Sequence, residues 1–206
     1  MDKEIKIIDR LFVEWLQSKS LINEFDKLFS EDSSLIEIRD KFLEDFYETI
    51  GLLFWNYILT NISKLLENSK TNSNDNLSLA VLIDILKINN KNWKEAELKL
   101  VELKTKCCQI KLYRNKNLSH FDLKYSIGEN KFNSSTSIDD LHSLYDEVLD
   151  IINFTLNEFL LPIKSNIVIN HGKHKGANEL NRILLEYNKM YLSKLKLKLK
   201  PTKPTK

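Results

Sequence analysis

Glycine and proline are scarce in this chain: 4 Gly and 3 Pro, 7 of 206 residues, against roughly 12% in ordinary proteins. Sandwiches and barrels need such residues at turns every 8 to 12 residues or so. The shortage excludes them and permits long helices. Cysteine is nearly missing as well, and the only two, Cys107 and Cys108, are adjacent within a segment of helical periodicity. That placement rules out an ordinary disulfide between them, so a disulfide-stapled secreted scaffold is excluded and a reducing, cytoplasmic setting is expected. Long apolar runs are lacking too. The longest, Ile50 to Leu59, is interrupted by Asn56 and is too short to cross a bilayer. No basic start followed by an apolar stretch and a small-residue cleavage site stands at the N-terminus, so a soluble protein with no membrane partner is expected. There is no Gly-rich phosphate loop and no nucleophile elbow.

What is present is helical patterning. Hydrophobic residues make up 42% and charged residues 29% of the chain, enough apolar side chains for a core. Apolar positions recur at helical spacing, separated by polar punctuation. The spacing predicts helices over about Lys3 to Phe29, from Ser33 or Ser34 to about Asn68, near Leu79 to Leu86, from about Trp93 to Asn115, from Ser137 or Thr136 to Leu161, and from near Ala177 onward. The second of these is apolar on more than one face through Phe42, Phe46, Ile50, Leu53, Phe54 and Tyr57, which marks it as the central helix. Asn68 to Asn76 reads as a loop. The fold class is therefore all-α, an antiparallel bundle of long helices with no sheet. One domain is expected over residues 1–193, with a Lys-rich tail over 194–206. That tail carries six Lys and no acid, so the net charge of +2 splits into +6 there and 2 − 6 = −4 in the remainder.

One feature stands apart from core patterning. Trp93, Ala96, Leu100, Leu103, Cys107 and Ile110 recur at spacings of 3, 4, 3, 4 and 3, and the next member of that inward stripe is Arg114. A guanidinium thus continues an apolar seam. Of the 31 basic residues only Arg10, Arg39, Arg114 and Arg182 are Arg, so a planar fork at this place suggests bidentate anion recognition over mere charge. His120 follows six residues later, far enough for the chain to leave the helix and return the imidazole. An imidazole exchanges protons near neutral pH, and an Arg beside it can hold a phosphate. RNA already contains its nucleophile, the ribose 2′-hydroxyl, so an acid, a base and a cationic clamp suffice for cleavage without a metal. Two Arg/His sets across a twofold axis would supply both acid and base. The plainer reading stays open: a basic residue near a helix C-terminus complements the dipole, and a His beyond it can be only a loop residue.

The string RNKNLSHFD at Arg114 to Asp122, closing a long helix in an all-α chain, resembles the signature of the HEPN superfamily, an Arg followed after four to six residues by His. More narrowly, the chain is similar to the abortive-infection U-type HEPN group, whose Arg-Asn-Lys-x-x-Ala-His-x-Asp pattern is preceded by an Asn-Leu-Ser-Leu segment. The latter stands here at Asn76 to Leu79, and Lys64-Leu65-Leu66-Glu67 falls where the group shows Arg-Leu-x-Asp. Ser119 and Lys64 depart from the pattern, the second by removing a bidentate donor. The resemblance spans roughly Lys64 to Leu156. It implies a metal-independent endoribonuclease with no cofactor, a homodimer with a composite active site, acting as the toxin or effector of a prokaryotic toxin-antitoxin or phage-defence system, with a cognate antitoxin as a further partner. By carry-over, Arg114 would bind the scissile phosphate, His120 would act as general acid or base, and Asn115 would orient the site. Asp122 occupies the position where some HEPN toxins have a modifiable Tyr, so no tyrosine switch is expected. The alternative is a HEPN-like scaffold that binds RNA or protein without cutting.

Other residues divide the same way. Lys116 within the motif and Lys194, Lys196 and Lys198 of the tail are candidate RNA contacts by counterion release, against a solvated tail. His171 and His174 lack the company of Cys or carboxylates that a metal site needs, and no metal is expected. His142 reads as an ordinary helix residue, Cys107 as core, Asp139 and Asp140 as first-turn acids, and Trp15, Trp55 and Trp93 as packing anchors.

Overall fold

Few turn residues and nearly unbroken 3,4 periodicity leave the chain little but helix to form. The computed structural model describes residues 2–29, 33–42, 44–118, 136–161 and 176–198. Its elements in chain order are α1 (Asp2–Leu28), α2 (Ser33–Phe42), α3 (Glu44–Leu65), β1 (Lys70–Thr71), β2 (Asn74–Asp75), α4 (Leu79–Ile88), α5 (Lys94–Lys106), α6 (Cys108–Tyr113), a π-helical turn at Arg114–Leu118, α7 (Ile138–Glu158) and α8 (Gly176–Lys198). The all-helical expectation holds, with one correction. The stretch read as a plain loop contains a minimal antiparallel hairpin, Lys70 opposite Asp75 and Thr71 opposite Asn74. Its turn puts Asn72 at φ 55, a left-handed conformation that Asn adopts more readily than most residues. Asn76 ties the base: its side-chain amide donates to the Asn68 carbonyl at 2.9 Å and to Thr71 Oγ1 at 2.7 Å.

The described residues fall into two compact units, Met1–Asn23 with Leu53–Ile169 and Glu24–Leu52 with Asn170–Lys206. In the first, α4 and α5 pack on each other and both pack on α7. Helix α7 starts from a reciprocal capping box, Ser137 Oγ accepting from the Asp140 N–H while the Asp140 carboxylate accepts from the Ser137 N–H. It buries Leu141, Tyr145, Val148, Ile152 and Leu156, one stripe at helical spacing. Helix α1 lies against that stripe through Trp15, fully buried, whose indole Nε1 donates to the Tyr145 carbonyl at 2.6 Å. Burial pushes the Tyr145 phenol up, so it remains neutral and contributes as packing.

The second unit sets α2 against α8. Gly176 takes φ 51, and a Cβ there would collide with the Glu24 carboxylate, which accepts from the Ala177 N–H at 2.7 Å. A negative group at a helix N-terminus satisfies an orphan donor and complements the dipole.

Two helical expectations change in detail. The helix expected from Trp93 to Asn115 breaks at Cys107, whose φ and ψ of −89 and 8 leave the helical region. Thr105 Oγ1 donates back to the Val101 carbonyl at 2.9 Å, a bond that bends helices. The face of α3 that marks it as central in the sequence is largely uncovered: Phe46, Leu53 and Tyr57 are 53%, 59% and 55% exposed. Only its other face, with Ile58, Leu59, Ile62 and Leu65, is buried. No helix among the described residues is long and apolar enough to cross a membrane.

Burial pushes the Cys107 thiol up to about 12, whereas Cys108 is exposed. A thiol-directed disulfide reagent should label one thiol quickly in the native protein and a second only on unfolding. Cys108→Ser should remove the fast phase, and two fast thiols in the native protein would contradict the packing of Cys107.

Candidate active site

The stripe through Ala96, Leu100, Leu103, Cys107 and Ile110 is buried, and Arg114 continues it with its side chain 19% exposed. At that residue the helix widens into the π-helical turn. Such turns are uncommon and recur at functional sites because they re-aim side chains relative to the preceding helix. Arg114 Nη2 meets Glu67 Oε1 at 2.6 Å, the Glu67 side chain being 30% exposed. Glu67 lies just past the C-terminus of α3. The neighbouring Tyr113 hydroxyl donates to Asn56 Oδ1 at 3.2 Å, a second tie to α3. One guanidinium atom is left over: Arg114 Nε is buried and has no hydrogen-bond partner among the described residues. An unsatisfied buried donor costs about 1–3 kcal/mol, so the fork is held in place while part of its bonding capacity stays unused.

Beside Arg114 opens a polar recess of about 360 Å³. Lys111 and Arg114 line it together with Asn68, Asn72, Asn74 and Asn76 on and beside the hairpin. Lys104 reaches the same hairpin, donating to Asn68 Oδ1 at 3.2 Å. Its ammonium is held below the usual lysine range by burial and by the charge of Lys111. Two cations, Lys111 and Arg114, line the recess with the Glu67 carboxylate, and Lys104 stands beside it at Asn68.

The AbiU2 family model (HEPN_AbiU2) matches residues 44–161, more than half of the chain and the whole stretch from α3 through α7. The chain belongs to the HEPN_AbiU2 family. No curated protein and no solved structure matches it. The AbiU2 segment contains the Arg114 turn, the hairpin and the recess.

The structure brings some of the expected residues together. Arg114, Asn115 and Lys116 share the π-helical turn, the last two half-buried. His120 and the following residues through 135 lie outside the described residues, as do His171, His174 and residues 199–206. Lys194, Lys196 and Lys198 fall on the last turns of α8, in the other compact unit, and so continue a helix. Lys64 is exposed at the end of α3, and it is Glu67 of the same Lys-Leu-Leu-Glu string that engages the motif. Sequence reasoning missed this Arg114–Glu67 pair, separated by 47 positions. It also missed the amide-lined recess. The one available signal was the density of Asn between positions 68 and 76.

Breaking a buried pair by removing one partner costs about 3–5 kcal/mol. With both side chains partly solvated, screening reduces this to about 1–2 kcal/mol. Glu67→Ala should therefore melt several degrees below wild type, while Glu67→Gln, which keeps an acceptor for Nη2, should lose less. Equal melting temperatures for all three proteins would show that the pair holds nothing.

Proposed function

We propose that the protein is a metal-independent endoribonuclease, the effector of a prokaryotic toxin-antitoxin or phage-defence system, with an active site composed by two copies. The observation that carries this reading is Arg114: a guanidinium held by Glu67 and still partly solvated, beside a recess that Lys111 also lines. The solvated part of the guanidinium can donate to an anion with several acceptor oxygens, and a phosphodiester is such an anion.

The chemistry balances with the groups at hand. A base removes the proton of a ribose 2′-hydroxyl, whose oxygen attacks the adjacent phosphorus. The bond from phosphorus to the 5′-oxygen breaks, an acid protonates that leaving oxygen, and the products end in a 2′,3′-cyclic phosphate and a 5′-hydroxyl. Arg114 stabilises the charge that builds on the phosphoryl oxygens. His120 of one copy serves as base and that of the other as acid, and Asn115 orients the site. Leu53 and Tyr57, exposed on α3 next to the Asn56–Tyr113 tie, support a second copy packing at this edge. Lys116 and the lysines of α8 add sequence-independent attraction for RNA.

A second reading has one observation in its favour. The ion pair to Glu67 also suits a guanidinium that only locks α3 to α6, as in a scaffold that binds RNA or a protein partner without cutting. One comparison separates the two. Wild type and His120→Ala are incubated with RNA in EDTA, with folding and solution mass checked for each. The nuclease reading expects cleavage by a wild-type dimer and its loss in the variant. Equal degradation by both, or a strictly monomeric wild type, would overturn it.

A further inference from the structure

The recess beside Arg114 has a composition that a phosphate clamp alone does not explain. A polyanion needs the cations and nothing more. The lining also carries four asparagines, each amide offering a donor pair and an acceptor in one plane. Two of them, Asn68 and Asn76, are engaged in holding the hairpin and Lys104. Asn72 and Asn74 are exposed on the turn and the second strand. The left-handed backbone at Asn72 fixes the turn that presents them.

Planar amides with paired donors and acceptors are the side chains that match the edges of nucleobases, as Asn and Gln do with adenine. Sequence-selective RNA recognition uses unstacked single-stranded bases in this way. The recess, about 360 Å³, falls at the small end of ligand pockets, roughly 300–1,000 Å³. One nucleoside is of that scale.

We propose that this recess seats one base of single-stranded RNA next to the phosphate held by Arg114, and that Asn72 and Asn74 set which base is preferred. The identity of the polymer rests on the ribonuclease reading above. The choice of residues rests on the hairpin.

The test measures binding, so that it stands whether or not RNA is cut. Short 2′-O-methyl oligonucleotides of A, C and U cannot supply the attacking hydroxyl, and their affinities for the full-length protein are read by fluorescence anisotropy. Wild type should prefer one base by at least about fivefold, the low end of a single bidentate base contact. Asn72→Gly with Asn74→Ala, which keeps the turn permissible, should bring the three affinities within about twofold of one another. Asn72→Asp with Asn74→Asp, close in shape but without the amide donors, should also lose or redirect the preference. Arg114→Ala should weaken all three evenly. Equal affinities in wild type, no binding at all, or a preference unchanged in both Asn variants would overturn the proposal. A wild type that binds with an Asn-dependent preference yet cleaves no RNA would leave the recess standing and remove the nuclease reading alone.

Discussion

Replacing Arg114 by alanine is expected to lower RNA cleavage by about 10²–10³-fold, the range for removing a positioned donor to a developing oxyanion. The fold should survive, because the side chain is at the edge of the core and still partly solvated. Arg114→Lys restores the charge but not the planar fork, and a lysine cannot engage Glu67 and a phosphate in one plane. Its activity should therefore lie well below wild type, above alanine. His120→Ala should cost a comparable factor, about 10²–10⁴, as a lost general acid or base. The Arg114→Lys variant is the informative member of the series. Full activity in it would mean that Arg114 acts as a point charge and that its held geometry is irrelevant.

The largest effect on stability is expected at Trp15. The ring is fully buried, stacks on Phe12 at 5.4 Å between centroids, and donates its N–H to the Tyr145 carbonyl. Trp15→Ala removes the largest side chain between α1 and α7 and should cost about 3–5 kcal/mol. At about 2–4 °C per kcal/mol for a chain of this size, the melting temperature should fall by about 6–20 °C. Trp15→Phe keeps a ring for Phe12 and gives up the hydrogen bond, so about 1 kcal/mol is expected. Equal losses for the two variants would mean that the hydrogen bond, not the packing, holds α1 in place.

Much of this architecture is legible in the sequence, because it depends on local rules. The start of α7 stands in sequence as a capping Ser137 followed by the first-turn acids Asp139 and Asp140, and the stripe ending at Arg114 keeps its phase from Ala96 onward. The break at Cys107 was not legible for the same reason: the apolar spacing runs through it unchanged. The hairpin escaped because strands of two residues carry no alternation to detect. The uncovered face of α3 misled because apolar breadth is the same whether a helix is buried by its own chain or awaits another surface. At the candidate site, Arg114 was found by its place in a seam. Its partner Glu67 is a long-range contact, and no periodicity connects the two.

The central claim is that Arg114 and His120 act on a ribose phosphate, and the ends of the product RNA test it most directly. Purified wild-type protein is incubated with single-stranded RNA in EDTA and the fragments are analysed by mass spectrometry. The account predicts fragments ending in 2′,3′-cyclic phosphate and 5′-hydroxyl, absent with Arg114→Ala and with His120→Ala. Intact RNA in the presence of folded, dimeric wild type would contradict it, as would the same fragments from either variant at the wild-type rate.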